Sequence, residues 1–173
     1  MKSFAWRIRD LDRGLFRTIF GLKWLPLTVV LRWFTVAGTA GALWGFVAAG
    51  AFVATGFQLR NLLVPWAAIA LSWTLAEGTK YLFDRARPFI HDTSIAPLTK
   101  TPSSSSFPSG HSATAGAGAL ALSVLYPVLA PALVPAAVLT VLSRVYLGVH
   151  YPLDVLAGST IGLATAAVLL LVW

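Results

Sequence analysis

The chain has 173 residues, 57% of them hydrophobic and 11% charged, with a mean hydropathy of +0.77 and a formal net charge of +7. A soluble domain is about 45–50% apolar and about 25% charged, so the composition excludes an ordinary soluble globule and points to an integral membrane protein. The absence of cysteine excludes disulfides, thiolate chemistry and Cys/His zinc sites. The basic residues form no nucleic-acid-reading module and read as topology signals and contacts to anionic lipid.

From the N-terminus, residues 1–23 carry Lys2, Arg7, Arg9, Arg13, Arg17 and Lys23 among apolar residues, with Leu11, Leu15, Ile19 and Leu22 at helical spacing. This pattern predicts a basic amphipathic helix in the membrane interface, with a solvated helix as the alternative. The arginines interrupt any clean apolar core, which argues against a signal peptide. Pro26 to Arg32 is a short apolar lead-in. Five spans are then expected, near 35–56, 62–83, 109–126, 132–147 and 153–173. Trp33 to Leu59 and Val155 to Trp173 hold no charged residue, and each is near the roughly 20 residues a span needs. Residues 84–108 form a polar loop, whose serines Ser103 to Ser106 read as a flexible approach. Residues 24–173 make one transmembrane domain, and the fold class is an all-α membrane bundle.

Charges inside or beside spans are costly and face a partner or a watery cavity. Three clusters fall at helix ends on one face. In "KYLFDRARP", seven positions separate Lys80 from Arg87, about two turns, so on a continued helix they share a face and Arg85 points away. Salt bridges from Lys80 to Glu77 and Asp84 are the plainer reading of that segment alone. In "FPSGHS", Ser109 is a good N-cap, and the amides of Gly110, His111 and Ser112 form a helix N-terminus suited to phosphate. An incidental histidine after an ordinary cap is the alternative. In "SRVYLGVHYPLD", Pro152 suits a first helical turn and places His150 just ahead of the last span. Asp154 can then accept a hydrogen bond from one imidazole nitrogen, leaving the other free to attack. Arg144 reaches a shared anion. A buried His–Asp pair joining two helices is the alternative. Together the clusters supply the positioning and charge neutralisation that phosphoryl transfer requires.

With these segments in hand, the chain resembles the type 2 phosphatidic acid phosphatase family, which includes bacterial acid phosphatases and vanadium haloperoxidases. The signature pieces read Lys80…Arg87-Pro88, Pro108-Ser109-Gly110-His111 and Ser143-Arg144…His150…Asp154, in order and without a gap. The resemblance implies a phosphohistidine on His150, oriented by Asp154, with His111 protonating the leaving oxygen. Lys80, Arg87, Arg144, Ser109 and the Gly110 amide would hold the phosphoryl oxygens, with no metal and no cofactor. His91 matches no motif position, and Glu77 and Asp84 read as salt-bridge partners.

The expected activity is metal-independent hydrolysis of a phosphomonoester or diphosphate on a lipid or polyprenyl carrier. Polyprenylphosphoryl phosphoribose, phosphatidylglycerophosphate and phosphatidic acid are the candidate substrates. An undecaprenyl-diphosphate phosphatase with an outward-facing site is the alternative. A small transporter or channel is the alternative from another class, and a haloperoxidase-like activity is a remote third. The basic residues place the site on the cytoplasmic face of a bacterial inner membrane.

Overall fold

A computed structural model describes residues 4–173, so Lys2 of the basic segment lies outside the described residues. Helix α1 spans Phe4–Gly21. Its apolar residues divide between two faces. Phe16 is buried, with Ile19 and Phe20 half-buried beside it, whereas Phe4, Ile8, Leu11 and Leu15 are exposed together with Arg7, Arg9, Arg13 and Arg17. One stripe therefore packs on the protein, and a second is left exposed with the arginines. Helix α2 (Leu25–Ala37), started by a proline in its first turn, leaves α1 at an angle of 116°.

The first expected span is not one helix starting at residue 35. After α2 the chain breaks through a 3-10 turn at Thr39–Gly41 and resumes as α3 (Ala42–Ala54). Ala40 and Gly41 both have positive φ, at 50° and 77°. Gly41 packs so close to Ile69 that a side chain there would collide with it, and it lies in contact range of Thr114. The break brings Gly38 beneath His111 and Thr140, and so sets the C-terminal end of α2 against the helices of the site.

Helix α4 (Leu59–Thr79) ends earlier than expected, with Lys80 as its C-cap. Residues 81–87 are turn and coil before a single helical turn, α5 (Pro88–His91). The remaining boundaries follow the sequence closely. Helices α6 (Gly110–Leu125), α7 (Ala130–Tyr146) and α8 (Pro152–Val172) begin and end near the residues expected from their caps and prolines.

Helix α6 is the axis of the bundle, buried almost throughout from Gly110 to Leu122. At 16 residues it rises only about 24 Å, less than the roughly 30 Å hydrocarbon core, and its neighbours shield it. Small residues let α8 approach closely: a side chain added at Gly116 would meet the Ser159 carbonyl at 2.9 Å, and one at Gly162 would meet the Ala117 amide at 2.8 Å. By length and composition, α4, Pro127–Tyr146 and α8 can each cross a membrane, and the bent α1–α2 pair is a fourth candidate. Trp66, Trp73, Leu156, Leu163 and Leu171 stand exposed on these helices, as lipid-facing residues do.

Candidate active site

The three clusters meet at one end of the bundle, where α4 and α7 finish and α6 and α8 begin. Ser109 caps α6 as expected, its hydroxyl accepting from the Ser112 amide at 3.4 Å. Its own amide donates to the Asp154 carbonyl at 3.0 Å, tying the start of α6 to α8. Gly110 sits against Glu77, where an added Cβ would lie 2.8 Å from Oε1. Glu77 accepts from Lys80 Nζ at 2.6 Å, as expected. The expected Asp84–Lys80 pair is not made among the described residues, because the chain leaves the helix at Lys80 and Asp84 turns to a cavity beside Arg9 and Arg13.

Lys80 and Arg87 converge through the loop, not along a shared helical face. Arg87 is buried, with Nε donating to the Ser104 carbonyl at 2.8 Å, Nη2 to the Ser105 carbonyl at 3.1 Å and Nη1 to the Val149 carbonyl at 2.9 Å. That last nitrogen also stands 3.2 Å from His150 Nε2. Lys80 Nζ reaches the Ser104 hydroxyl at 3.2 Å. The serine run is therefore a working part of the site and not a flexible approach. Ser104 and Ser105 hold Arg87, and the Ser106 hydroxyl donates to Asp154 Oδ2 at 2.5 Å.

His150 lies in the turn between α7 and α8. Gly148, at φ 82°, allows that turn, and the amides of Val149 and His150 return to the Arg144 carbonyl at 3.2 and 3.1 Å. Burial first, then the charges of Arg144, Arg87 and Lys80, hold the imidazole well below its ordinary value. That direction favours the neutral imidazole. Burial likewise pulls Lys80 below the ordinary lysine value, against the opposing bond to Glu77.

Arg144 is buried in the last turn of α7 and donates from Nη1 to the Thr35 hydroxyl at 3.2 Å. Thr35 is joined in turn to Ser143 at 2.6 Å. The charged or titratable neighbours of His111 are Arg144, His150 and Lys80, and its ring meets the Thr35 backbone. Among the described residues, His111 Nε2 and Arg144 Nε are buried without a hydrogen-bond partner. Arg144 Nε, with Lys80 and Arg87, is a donor suited to the oxygens of a phosphoryl group, and His111 Nε2 joins them when its ring is protonated.

The expected His150–Asp154 hydrogen bond is not made, and among the described residues His150 Nδ1 is buried without a hydrogen-bond partner. Nδ1 and Oδ2 face each other at 3.5 Å, beyond the usual 2.7–3.2 Å. Asp154 instead accepts from the Tyr151 amide at 2.8 Å, from Ser106 and from Arg85 Nη1 at 2.6 Å. Arg85 therefore turns into the site, contrary to the helical projection, which failed because the segment is coil. Arg85 also pairs with Asp12 of α1. Sequence reasoning missed Thr35, Arg85, Ser106 and Asp12. The one available signal was Asp12, one of two acids on a basic helix, which stands at helical spacing with Phe16 and Ile19.

Comparison with known proteins identifies the family. The family model of the PAP2 superfamily matches residues 61–173. The lipid A 1-phosphatase of Rhizobium johnstonii is 39% identical over 115 residues, which cover 61% of this chain and 47% of that protein. The decaprenylphosphoryl-5-phosphoribose phosphatase of Mycobacterium tuberculosis is 35% identical over 134 residues, covering 72% of this chain and 68% of that protein. A solved structure, the transmembrane PAP2-type phosphatidylglycerolphosphate phosphatase from Bacillus subtilis, shares the fold with a TM-score of 0.75 and 28% identity, over 96% of this chain and 85% of that one. This chain spans less than half the length of the first curated relatives it matches. On the family model's reach across all three motif segments, the chain belongs to the PAP2 superfamily, the type 2 phosphatidic acid phosphatases.

Proposed function

We propose that the chain is a membrane lipid phosphatase acting through a phosphohistidine intermediate. The observation that carries this reading is the placement of a buried, neutral His150 with Nε2 3.2 Å from Arg87, beside Lys80, Arg144 and the capped N-terminus of α6. In the proposed reaction His150 Nε2 attacks phosphorus, and the bond from phosphorus to the lipid oxygen breaks. His111 donates the proton that the leaving oxygen takes. Water then attacks the phosphohistidine, His111 accepts its proton, and inorganic phosphate departs. Lys80, Arg87, Arg144, Ser109 and the Gly110 amide carry the negative charge that builds on the phosphoryl oxygens. Asp154 keeps the His150 ring turned so that Nε2 faces phosphorus.

The substrate is a phosphomonoester or diphosphate on a lipid or polyprenyl carrier. Polyprenylphosphoryl phosphoribose, phosphatidylglycerophosphate and phosphatidic acid fit that description, and the names of the relatives fall in the same class. The site faces the cytoplasm of a bacterial inner membrane in this reading. Arg9, Arg13, Arg17 and Arg85 lie at the site end, and Arg32 donates to the Leu98 carbonyl there. Arg60 lies at the opposite end, on the Trp173 carbonyl. That asymmetry follows the positive-inside rule. A transporter would need polar groups through the bundle, whereas the charges here gather at its ends.

The test is phosphate release by the purified protein in detergent with chelator, from a panel of these lipid phosphates. Turnover is expected with wild type and background with His150→Ala. Full turnover by that variant would sink the mechanism.

A further inference from the structure

Asp12 is an anomaly on its helix. It is 2% exposed, on an element whose other charged side chains, from Arg7 to Arg17, face outward. A buried charge is costly unless paired, and Asp12 is fully engaged. Oδ1 accepts from the Leu153 amide at 2.8 Å, in the first turn of α8, and Oδ2 accepts from Arg85 Nη2. The other arm of Arg85 donates to Asp154 Oδ1 at 2.6 Å. The guanidinium carbon stands 4.3 Å over the Tyr151 ring, an added cation–π contact. Arg85 is thus clamped by two carboxylates and one aromatic face.

The clamp has a geometric consequence for Asp154. An arginine alone with a carboxylate tends to take both its oxygens in a bidentate pair. Shared with Asp12, Arg85 reaches Asp154 through a single nitrogen and a single oxygen, Oδ1. Oδ2 is left to Ser106 and the Tyr151 amide, and it is the oxygen that faces His150 Nδ1. Helix α1 braces the same turn at two further points. Phe20 packs on Gly148, where an added Cβ would meet its ring at 2.8 Å, and Phe16 contacts Tyr151 edge-on at 5.4 Å.

We propose that Asp12 is a positioning residue, which holds Arg85 so that Asp154 keeps the oxygen facing His150 available to the imidazole. Through it the interfacial helix α1 becomes part of the catalytic apparatus. The inference rests on the reading of His150 as nucleophile, and it concerns kcat more than substrate grip, because Lys80, Arg87 and Arg144 are left in place.

The experiment compares wild type, Asp12→Asn, Arg85→Ala and the double variant, using the best-cleaved lipid phosphate of the panel in detergent micelles. Rates are taken on the monodisperse fraction. Asp12→Asn is expected to lower kcat about 10- to 100-fold, the scale of a small misplacement of a reacting group, with KM within about twofold. In the Arg85→Ala background it is expected to add almost nothing, since coupled residues are not additive. Ile19→Val loosens the packed stripe of the same helix without touching Asp12 or Arg85 and is expected to lower the melting temperature while keeping kcat. Unchanged kcat in Asp12→Asn would overturn the inference. So would an undiminished loss in the Arg85→Ala background, or an equal fall in Ile19→Val. No release by wild type from any lipid on the panel would instead overturn the phosphatase reading, and the positioning role with it.

Discussion

At the scale of single residues, His150 sets the pH behaviour. Its folded value is depressed by burial, and the unfolded value lies near about 6.5. As pH falls, the unfolded chain takes up the proton first, so this group's contribution makes the fold less stable below about pH 6.5. In the native protein the imidazole stays neutral well below that point. The acid limb of kcat/KM assigned to His150 is therefore expected below the ordinary histidine value. A pH–rate profile with that limb at or above about 6.5 would contradict the burial argument. On the alkaline side the depressed Lys80 neutralises below the ordinary lysine value. Substrate grip should weaken there first, seen as a rise in KM.

At the scale of elements, the crossing of α6 over α8 fixes the site. Gly158 lies under Ser109 and Ser112, and Gly162 lies against Ala113 and Ala117. Gly162→Ala forces a methyl group onto backbone atoms that cannot move aside, and overpacking of this kind costs about 1–3 kcal/mol. A lower thermal midpoint in detergent is the expected outcome, and an unchanged midpoint would show that the helices separate freely. Caps and prolines made α6, α7 and α8 legible in the sequence, because those signals are local. Two features were not legible. The break at Thr39–Gly41 depends on packing against Ile69 and Thr114, and the coil after Lys80 carries Arg87 to His150 along a path no helical projection describes. The roles expected for Ser109 as a cap and Glu77 as a partner of Lys80 needed only near neighbours, and both contacts are present. Thr35, Ser106 and Asp12 come to the site from distant positions, which periodicity cannot join.

At the scale of the whole molecule, the bundle separates its charges by end. The arginines of α1 and the loop cations gather around the site, while Arg60 meets the chain's final carbonyl at the other end. The proposed sidedness rests on this asymmetry and is open to direct measurement, because the chain has no native cysteine. Ser103→Cys, at an exposed loop position, should resist an impermeant thiol reagent in intact cells and react after permeabilisation. Reaction in intact cells would place the site outside and favour the undecaprenyl-diphosphate alternative.

The proposed reaction passes through a covalent phosphohistidine on His150, held by groups gathered at one end of the bundle. The most direct measurement is rapid quenching of wild-type protein with its best-cleaved lipid phosphate, followed by peptide mass spectrometry under conditions that preserve phosphohistidine. Phosphate on the peptide carrying His150, absent from Asp12→Asn only in proportion to its slower turnover and absent altogether from His150→Ala, is the predicted result. Phosphate release at full rate with no phosphorylated His150, or with the label on another residue, would contradict it.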